Sequence, residues 1–281
     1  MEERSDHMHF YKYHGLGNDF VLTLDLDGTV EASPERARKL CDRHTGIGAD
    51  GWMLIRPSDT CDTRMHLYNS DGSVAEMCGN GLRCFAKFVY DHKLVEKEDF
   101  TVQTPAGVMQ VHVTAKDGCA EQITANIGAP TFEKSAIPMV GEGECDRESI
   151  TALDKTFTIS ACPMGVPHVV VFGRDFDDAL VAKYGPVLEC HPAFPRKANI
   201  NFANIIDEKT VHVRTWERGC GRTLACGTGS CATAVLCHKS GFTADEVEIR
   251  LQEGSLFIKV TREGVVMTGP AALAFEGETS L

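Results

Sequence analysis

A chain of 281 residues, 43% of them apolar, can bury one large core or two of ordinary size. Its net charge of −12 argues against nucleic acid or an anionic membrane as a partner, and its apolar runs are far too short to span a bilayer. Twelve cysteines behind a start with no apolar leader point to free thiols in a reducing cytoplasm, not to a secreted disulfide framework.

Met1 to His7 reads as a polar, mobile extension. His9 to Leu26 reads as strand, glycine turn, strand, with Gly15-Leu16-Gly17-Asn18-Asp19 as the turn. Ser33-Pro34-Glu35 is a helix start, Ser33 capping and Pro34 at the first position, and that helix is expected to run to about Asp42. Gly46 to Gly51 is a second glycine loop, followed by strands at Trp52–Ile55 and Met65–Tyr68. Asn69-Ser70-Asp71-Gly72 is a turn. Then come Cys78 and a helix expected over about Gly81–Asp91, apolar on more than one face and therefore buried. Phe100 to Val113 reads as a hairpin turning at Pro105-Ala106-Gly107.

After about Ala125 the pattern starts again. Strands are expected at Phe157–Ser160 and His168–Phe172, around Gly165-Val166-Pro167, and a helix at Asp175–Tyr184. Further strands are expected at Asn199–Ile206 and Thr210–Thr215, then Cys226, a second apolar helix over about Gly229–Ser240, and strands at Val247–Leu251 and Leu256–Val260. Gly17 precedes Cys78 by 61 positions, as Gly165 precedes Cys226 (78 − 17 and 226 − 165). In that register Asn69 falls on Glu217 and Asn18 on Val166. Two related domains follow from this repeat. We expect residues 1–125 to form the first, with 270–281 returning to it, and residues 126–269 the second.

Met77-Cys78-Gly79-Asn80-Gly81 and Ala225-Cys226-Gly227-Thr228-Gly229 each set a thiol ahead of a helix start. Thiols at such starts are biased toward thiolate, and the helix N–H groups bind anions. Inverting a carbon α to a carboxylate needs a base on one face and an acid on the other. One thiolate and one thiol, opposed across that carbon, can serve in both directions. The backbone N–H groups of Gly79, Asn80, Gly227 and Thr228 are the candidates for holding the carboxylate. His168 and Glu217 are candidate proton partners for the thiols, although a histidine after a strand also serves as a hydrogen-bonded structural residue, and Glu217-Arg218 also reads as a solvated surface pair. Cys84, Cys231 and Cys237 read as core residues, and the lack of any C-x-x-C pair argues against a zinc site. The glycine loops lack the spacing of nucleotide motifs, and His7 and His9 read as solvated.

Several motifs resemble the diaminopimelate epimerase family: His14-Gly15-Leu16-Gly17-Asn18-Asp19-Phe20, Gly46 to Gly51, Asn69 to Ser73, Glu76 to Cys84, Glu217-Arg218-Gly219, Thr223 to Gly229, and Gly269-Pro270-Ala271. They run in the family's order along nearly the whole chain. The resemblance implies a fold of the α+β class, with two pseudo-symmetric domains, each a mixed β-sheet wrapped around a central apolar helix. It implies a cofactor-independent (PLP-independent) isomerase that interconverts LL- and meso-2,6-diaminopimelate in lysine and peptidoglycan precursor synthesis, usually as a homodimer. It implies that Cys78 and Cys226 are the acid and base, tuned by His168 and Glu217. Substrate contacts would come from Asn18, Asn69, Asn199, Glu217 and Arg218, with Gly79, Asn80, Gly227 and Thr228 at the carboxylate. One departure is Val166, where the family usually has an asparagine that helps recognise the distal end of the substrate. Losing one neutral hydrogen bond there costs roughly 0.5–1.5 kcal/mol. A smaller departure is Gly51, where some members carry glutamine. Val166 keeps open a racemase of another amino acid on the same scaffold. A different class of reading is a non-catalytic amino-acid binder or a thiol redox protein.

Overall fold

The computed structural model describes residues 7–281. The expected N-terminal extension, for residues 1–6, lies outside the described residues. The chain divides into two compact units, one formed by residues up to Ala125 together with Gly269–Leu281, the other by Asn126–Thr268.

The first unit contains β1 (Met8–Gly15), β2 (Asn18–Leu24), α1 (Pro34–Cys41), β3 (Gly51–Arg56), β4 (Thr63–Asn69), α2 (Gly79–Asp91), β5 (Asp99–Thr104), β6 (Gly107–Lys116) and β7 (Cys119–Asn126). Leu16 and Gly17, with φ of 57° and 90°, close β1 onto β2 in a two-residue left-handed turn, which matches the twist of the paired strands. The second unit contains β8 (Glu148–Ala152), β9 (Lys155–Met164), β10 (Val166–Gly173), α3 (Asp178–Glu189), β11 (Asn199–Asp207), β12 (Thr210–Glu217), β13 (Gly221–Thr223), α4 (Gly227–Lys239), β14 (Glu246–Leu251), β15 (Gly254–Val260) and β16 (Val265–Gly269). The last strand, β17 (Ala272–Thr279), pairs with β1 and so belongs to the first unit.

The repeat is written into the strand pairing. In the first unit the order β17-β1-β2-β3-β4-β5-β6-β7 is antiparallel except at β2–β3 and β4–β5, which are parallel. In the second, β8-β9-β10-β11-β12-β14-β15-β16 has the same alternation, with parallel pairs at β10–β11 and β12–β14. Even the register repeats: Phe20 pairs with Gly51, and His168 with Asn199, each 148 positions later (168 − 20 and 199 − 51). Helices α2 and α4 are offset by the same 148 (227 − 79).

In each unit one helix lies against each face of the sheet. On one face of the first, Ala37, Leu40 and Cys41 of α1 pack on Val21, Trp52, Leu54 and Tyr68. On one face of the second, Val181, Tyr184 and Leu188 of α3 pack on Val169, Val171, Ile200 and Phe202. The opposite faces hold α2 and α4, whose residues are buried almost end to end. This is why β3 and β10 read as near-continuous apolar runs instead of alternating ones.

Three expectations need correction. Helices α2 and α4 begin two residues before the expected Gly81 and Gly229, because Cys78 and Cys226 are themselves the N-caps. Helix α3 begins later and runs further than Asp175–Tyr184: Asp177 caps it by accepting from Leu180 N–H, and it continues through Pro186 to bury Leu188. Strands β7, β8, β13, β16 and β17 are additional to the expected elements. In β17 most side chains are exposed, and its strand character comes from a partner at the other end of the sequence.

Candidate active site

Each of the two buried helices starts on a cysteine. Cys78 is extended (φ −143°, ψ 115°), and its sulfur accepts the N–H of Gly81 at 3.4 Å. Cys226 is likewise extended (φ −125°, ψ 108°), and its sulfur accepts the N–H of Gly229 at 3.3 Å. A sulfur in the N-cap position, receiving a helix N–H and facing the positive end of the helix dipole, is stabilised as thiolate. Cys226 is buried and Cys78 half-buried.

Around Cys78 the polar groups form a chain. Asn18 donates to Asp50 Oδ2 at 2.6 Å, and its Oδ1 accepts from Asn80 Nδ2 at 3.0 Å. Asn80 Oδ1 in turn accepts from Arg83 at 2.9 Å. Arg83 is fully buried and also donates through Nε to Pro270 O at 3.1 Å, so it ties the first turn of α2 to the segment just before β17. Asp50 is anchored by Arg43, which bridges it to Asp19. Arg43 and Lys12 together hold the Asp19 carboxyl well below the usual carboxylate range. Desolvation and the neighbouring Asp19 push Asp50 upward. Asn69, at the end of β4, donates to Ser73 Oγ at 2.9 Å across its turn. Gly51 faces the Tyr68 carbonyl, where an added Cβ would lie 2.7 Å away; a larger residue needs a shifted backbone here.

Around Cys226 the arrangement differs. His168, on β10, is fully buried, and its Nε2 lies 3.0 Å from Thr228 Oγ1. Thr228 Oγ1 lies 3.5 Å from Cys226 Sγ. Burial, with a smaller contribution from the charge of Arg218, pushes His168 down to about 3. The imidazole is therefore neutral at working pH and acts here as a hydrogen-bonding group, not as a cation beside the thiol. Asn199, the first residue of β11, accepts from the backbone N–H of Arg218 at 2.7 Å. The Arg218 guanidinium donates to Arg196 O at 3.2 Å. Glu217 Oε1 accepts from Thr223 Oγ1 at 2.5 Å, which ties the end of β12 to β13.

The structure thus brings Cys226, Thr228 and His168 together in the second unit, with Glu217, Arg218 and Asn199 at the meeting ends of β11 and β12. In the first unit it brings together Asn18, Asn80 and the helix that Cys78 caps. Val166 opens β10, half-buried, in the place that Asn18 holds on β2. Sequence reasoning missed Asp50, Arg83 and Asn201. Asn201 carried a signal, because it stands two residues after Asn199 on one strand and so shares its face. Among the described residues, no group of three His, Cys, Asp or Glu is placed to hold a metal ion.

Residues 10–133 and 160–274 match the sequence profile of the family described as diaminopimelate epimerase. The chain is 42% identical over 275 residues to the diaminopimelate epimerase of Pelotomaculum thermopropionicum, covering 96% of this chain and 98% of that one. It is 40% identical over 277 residues to that of Methanococcus maripaludis, covering 98% and 100%. Among solved structures, it is similar to a PhzF-family phenazine biosynthesis protein of Bacillus anthracis (TM-score 0.71, 20% identity, 97% of this chain and 99% of that one). It is also similar to a hydroxyproline epimerase of Agrobacterium vitis (TM-score 0.71, 15% identity, 98% and 93%). At these identities the two structures speak to the fold, which this chain shares.

Proposed function

We propose that this chain, which belongs to the diaminopimelate epimerase family, interconverts LL- and meso-2,6-diaminopimelate by taking the α-proton onto one cysteine and returning a different, solvent-derived proton from the other. The observation that supports this reading most is the duplicated cap: two buried helices, each starting on a cysteine whose sulfur accepts the N–H three residues on.

The chemistry follows from those caps. The α-hydrogen of an amino acid is a very weak acid, so its removal needs a desolvated thiolate and stabilisation of the charge that builds on the adjacent carboxylate. The first-turn N–H groups of Gly79, Asn80, Gly227 and Thr228 lie at the positive ends of their helices and suit that carboxylate. One cysteine takes the proton from one face as the other, as thiol, delivers its own to the opposite face. The thiolate and thiol then exchange identities for the reverse direction. His168 and Glu217 tune the thiols, and Asn18, Asn69, Asn199, Glu217 and Arg218 hold the substrate's polar groups. The working form in this reading is a homodimer in the cytoplasm, supplying lysine and peptidoglycan precursor synthesis.

Val166 motivates a second reading, a racemase of a different amino acid. Incubating the protein with LL-diaminopimelate, lysine, histidine, arginine and glutamate, and following stereoinversion by chiral chromatography, separates the two. Fastest turnover of diaminopimelate is expected; faster turnover of a monocarboxylic amino acid overturns the substrate assignment.

A further inference from the structure

We propose that Asn201 is a positioning residue that holds His168 with its proton on Nε2, and that this tautomer turns the Thr228 hydroxyl proton onto the sulfur of Cys226. The proposal rests on Cys226 being an acid–base group, as in the reading above.

The direction of each hydrogen bond can be fixed from one end. Asn201 is fully buried on β11. Its Nδ2 lies 3.2 Å from the carbonyl oxygen of Val169, an atom that only accepts, so the amide nitrogen must be on that side. Its Oδ1 accepts from Thr215 Oγ1 at 3.1 Å, consistent with the same orientation. The Nδ2 amide group also lies 3.3 Å from His168 Nδ1. Facing a donor, Nδ1 presents its lone pair. A neutral imidazole then carries its one proton on Nε2, and burial keeps this imidazole neutral. Nε2–H donates to Thr228 Oγ1 at 3.0 Å. The threonine has a single proton of its own, and with its oxygen already accepting, that proton is available to Cys226 Sγ at 3.5 Å. Together with the Gly229 N–H, the sulfur receives two donors, and hydrogen bonds to the charged form of an acid favour that form.

Two further features fit. An added Cβ at Gly229 would lie 2.3 Å from Asn201 Oδ1, so the last residue of the Cys-Gly-Thr-Gly turn must be glycine for the amide to stay in place. In the repeat, the positions that match His168, Asn201 and Thr228 are Phe20, Met53 and Asn80 (168, 201 and 228 less 148). The imidazole, its clamp and the hydroxyl occur in the second half alone. Two thiols that share a cap geometry are thereby made unequal.

The experiment uses the full chain. Long-range proton–nitrogen correlation NMR of histidine-labelled protein, with the His168 signal assigned through His168→Gln, is expected to show a protonated Nε2 and a bare Nδ1. A protonated Nδ1 overturns the proposal whatever the variants do. In parallel, the pH dependence of iodoacetamide alkylation at Cys226 is followed on its own peptide in wild type, Thr228→Val, Asn201→Ala and the double variant. Each single variant is expected to slow alkylation near neutral pH by about threefold or more, half a pKa unit, with the same plateau at high pH. The double variant is expected to be no slower than Thr228→Val, since both act through one hydroxyl. A merely structural role for Asn201 would instead speed alkylation of the buried Cys231 and Cys237 and leave the Cys226 profile in place, which overturns the proposal. If Asn201→Ala does not fold, the wild-type tautomer and Thr228→Val decide. None of these readouts needs a substrate. A protein that shows them but fails to epimerise diaminopimelate would sink the functional reading and support this one.

Discussion

Replacing Gly229 and Gly81 with alanine, one at a time, is a matched pair of perturbations with opposite expected outcomes. Both glycines sit at the third position of a buried helix and both donate to a cysteine sulfur. Alanine is favoured over glycine in a helix by about 0.8–1.0 kcal/mol, so propensity alone predicts stabilisation at both sites. At Gly81 the new Cβ would meet the end of the flexible Met53 side chain at 3.2 Å and Cys78 Cβ at 3.4 Å, contacts that a small methionine shift relieves. At Gly229 it would lie 2.3 Å from Asn201 Oδ1 and 3.2 Å from Cys226 Sγ. That amide cannot move without giving up bonds to Thr215, Val169 and His168. Overpacking costs about 1–3 kcal/mol and a stranded buried polar group about the same, so the net loss at Gly229 is about 1–5 kcal/mol. Thermal melting of the two variants beside wild type reads the difference. Gly81→Ala should melt at or slightly above the wild-type midpoint, and Gly229→Ala several degrees below it. Equal shifts in the two variants would refute the packing argument.

The buried His168 predicts acid sensitivity. Its folded pKa, about 3, lies below the ordinary 6.5, so the unfolded chain binds the proton first. The stability this neutral imidazole contributes is therefore whole above pH 6.5 and is lost as pH falls toward 3. Between pH 7 and 5, wild type should lose about 2 kcal/mol more than His168→Gln in urea unfolding; parallel pH profiles would contradict this. Arg83→Met should destabilise the first unit by about 2–4 kcal/mol, because Asn80 Oδ1 and Pro270 O both lose the guanidinium that donates to them, and limited proteolysis should then cut more readily near Pro270. Val166→Asn should lower KM for diaminopimelate by about two- to tenfold if a distal hydrogen bond is restored, with little change in kcat. An unchanged KM would separate Val166 from substrate recognition.

The strongest sequence signals were those with local causes. Ser33-Pro34 marked the start of α1 because a serine cap and a first-turn proline act within one turn. The apolar runs after Cys78 and Cys226 mark buried helices but not their first residues: sulfur is not among the usual capping acceptors, and Gly79 and Gly227 read as turn residues. The spacing of Gly17 to Cys78 and Gly165 to Cys226 was legible and reappears as the common register of β2–β3 and β10–β11. Strand β17 was not, since only its pairing with β1, more than two hundred positions earlier in the chain, makes it a strand. At the site, the cysteines and His168 could be picked out by residue type and position. What His168 does could not. Its neutrality comes from complete burial and its tautomer from a neighbouring strand, and neither is written in the residues beside it.

The assignment of Cys78 and Cys226 as the two proton carriers is tested most directly by following deuterium entry at the α-carbon, and stereoinversion, for LL- and meso-diaminopimelate in D2O with wild type, Cys78→Ala and Cys226→Ala. Wild type should invert both isomers with deuterium incorporated, and each alanine variant should lose inversion in both directions while remaining folded. Full turnover by either variant would contradict the account.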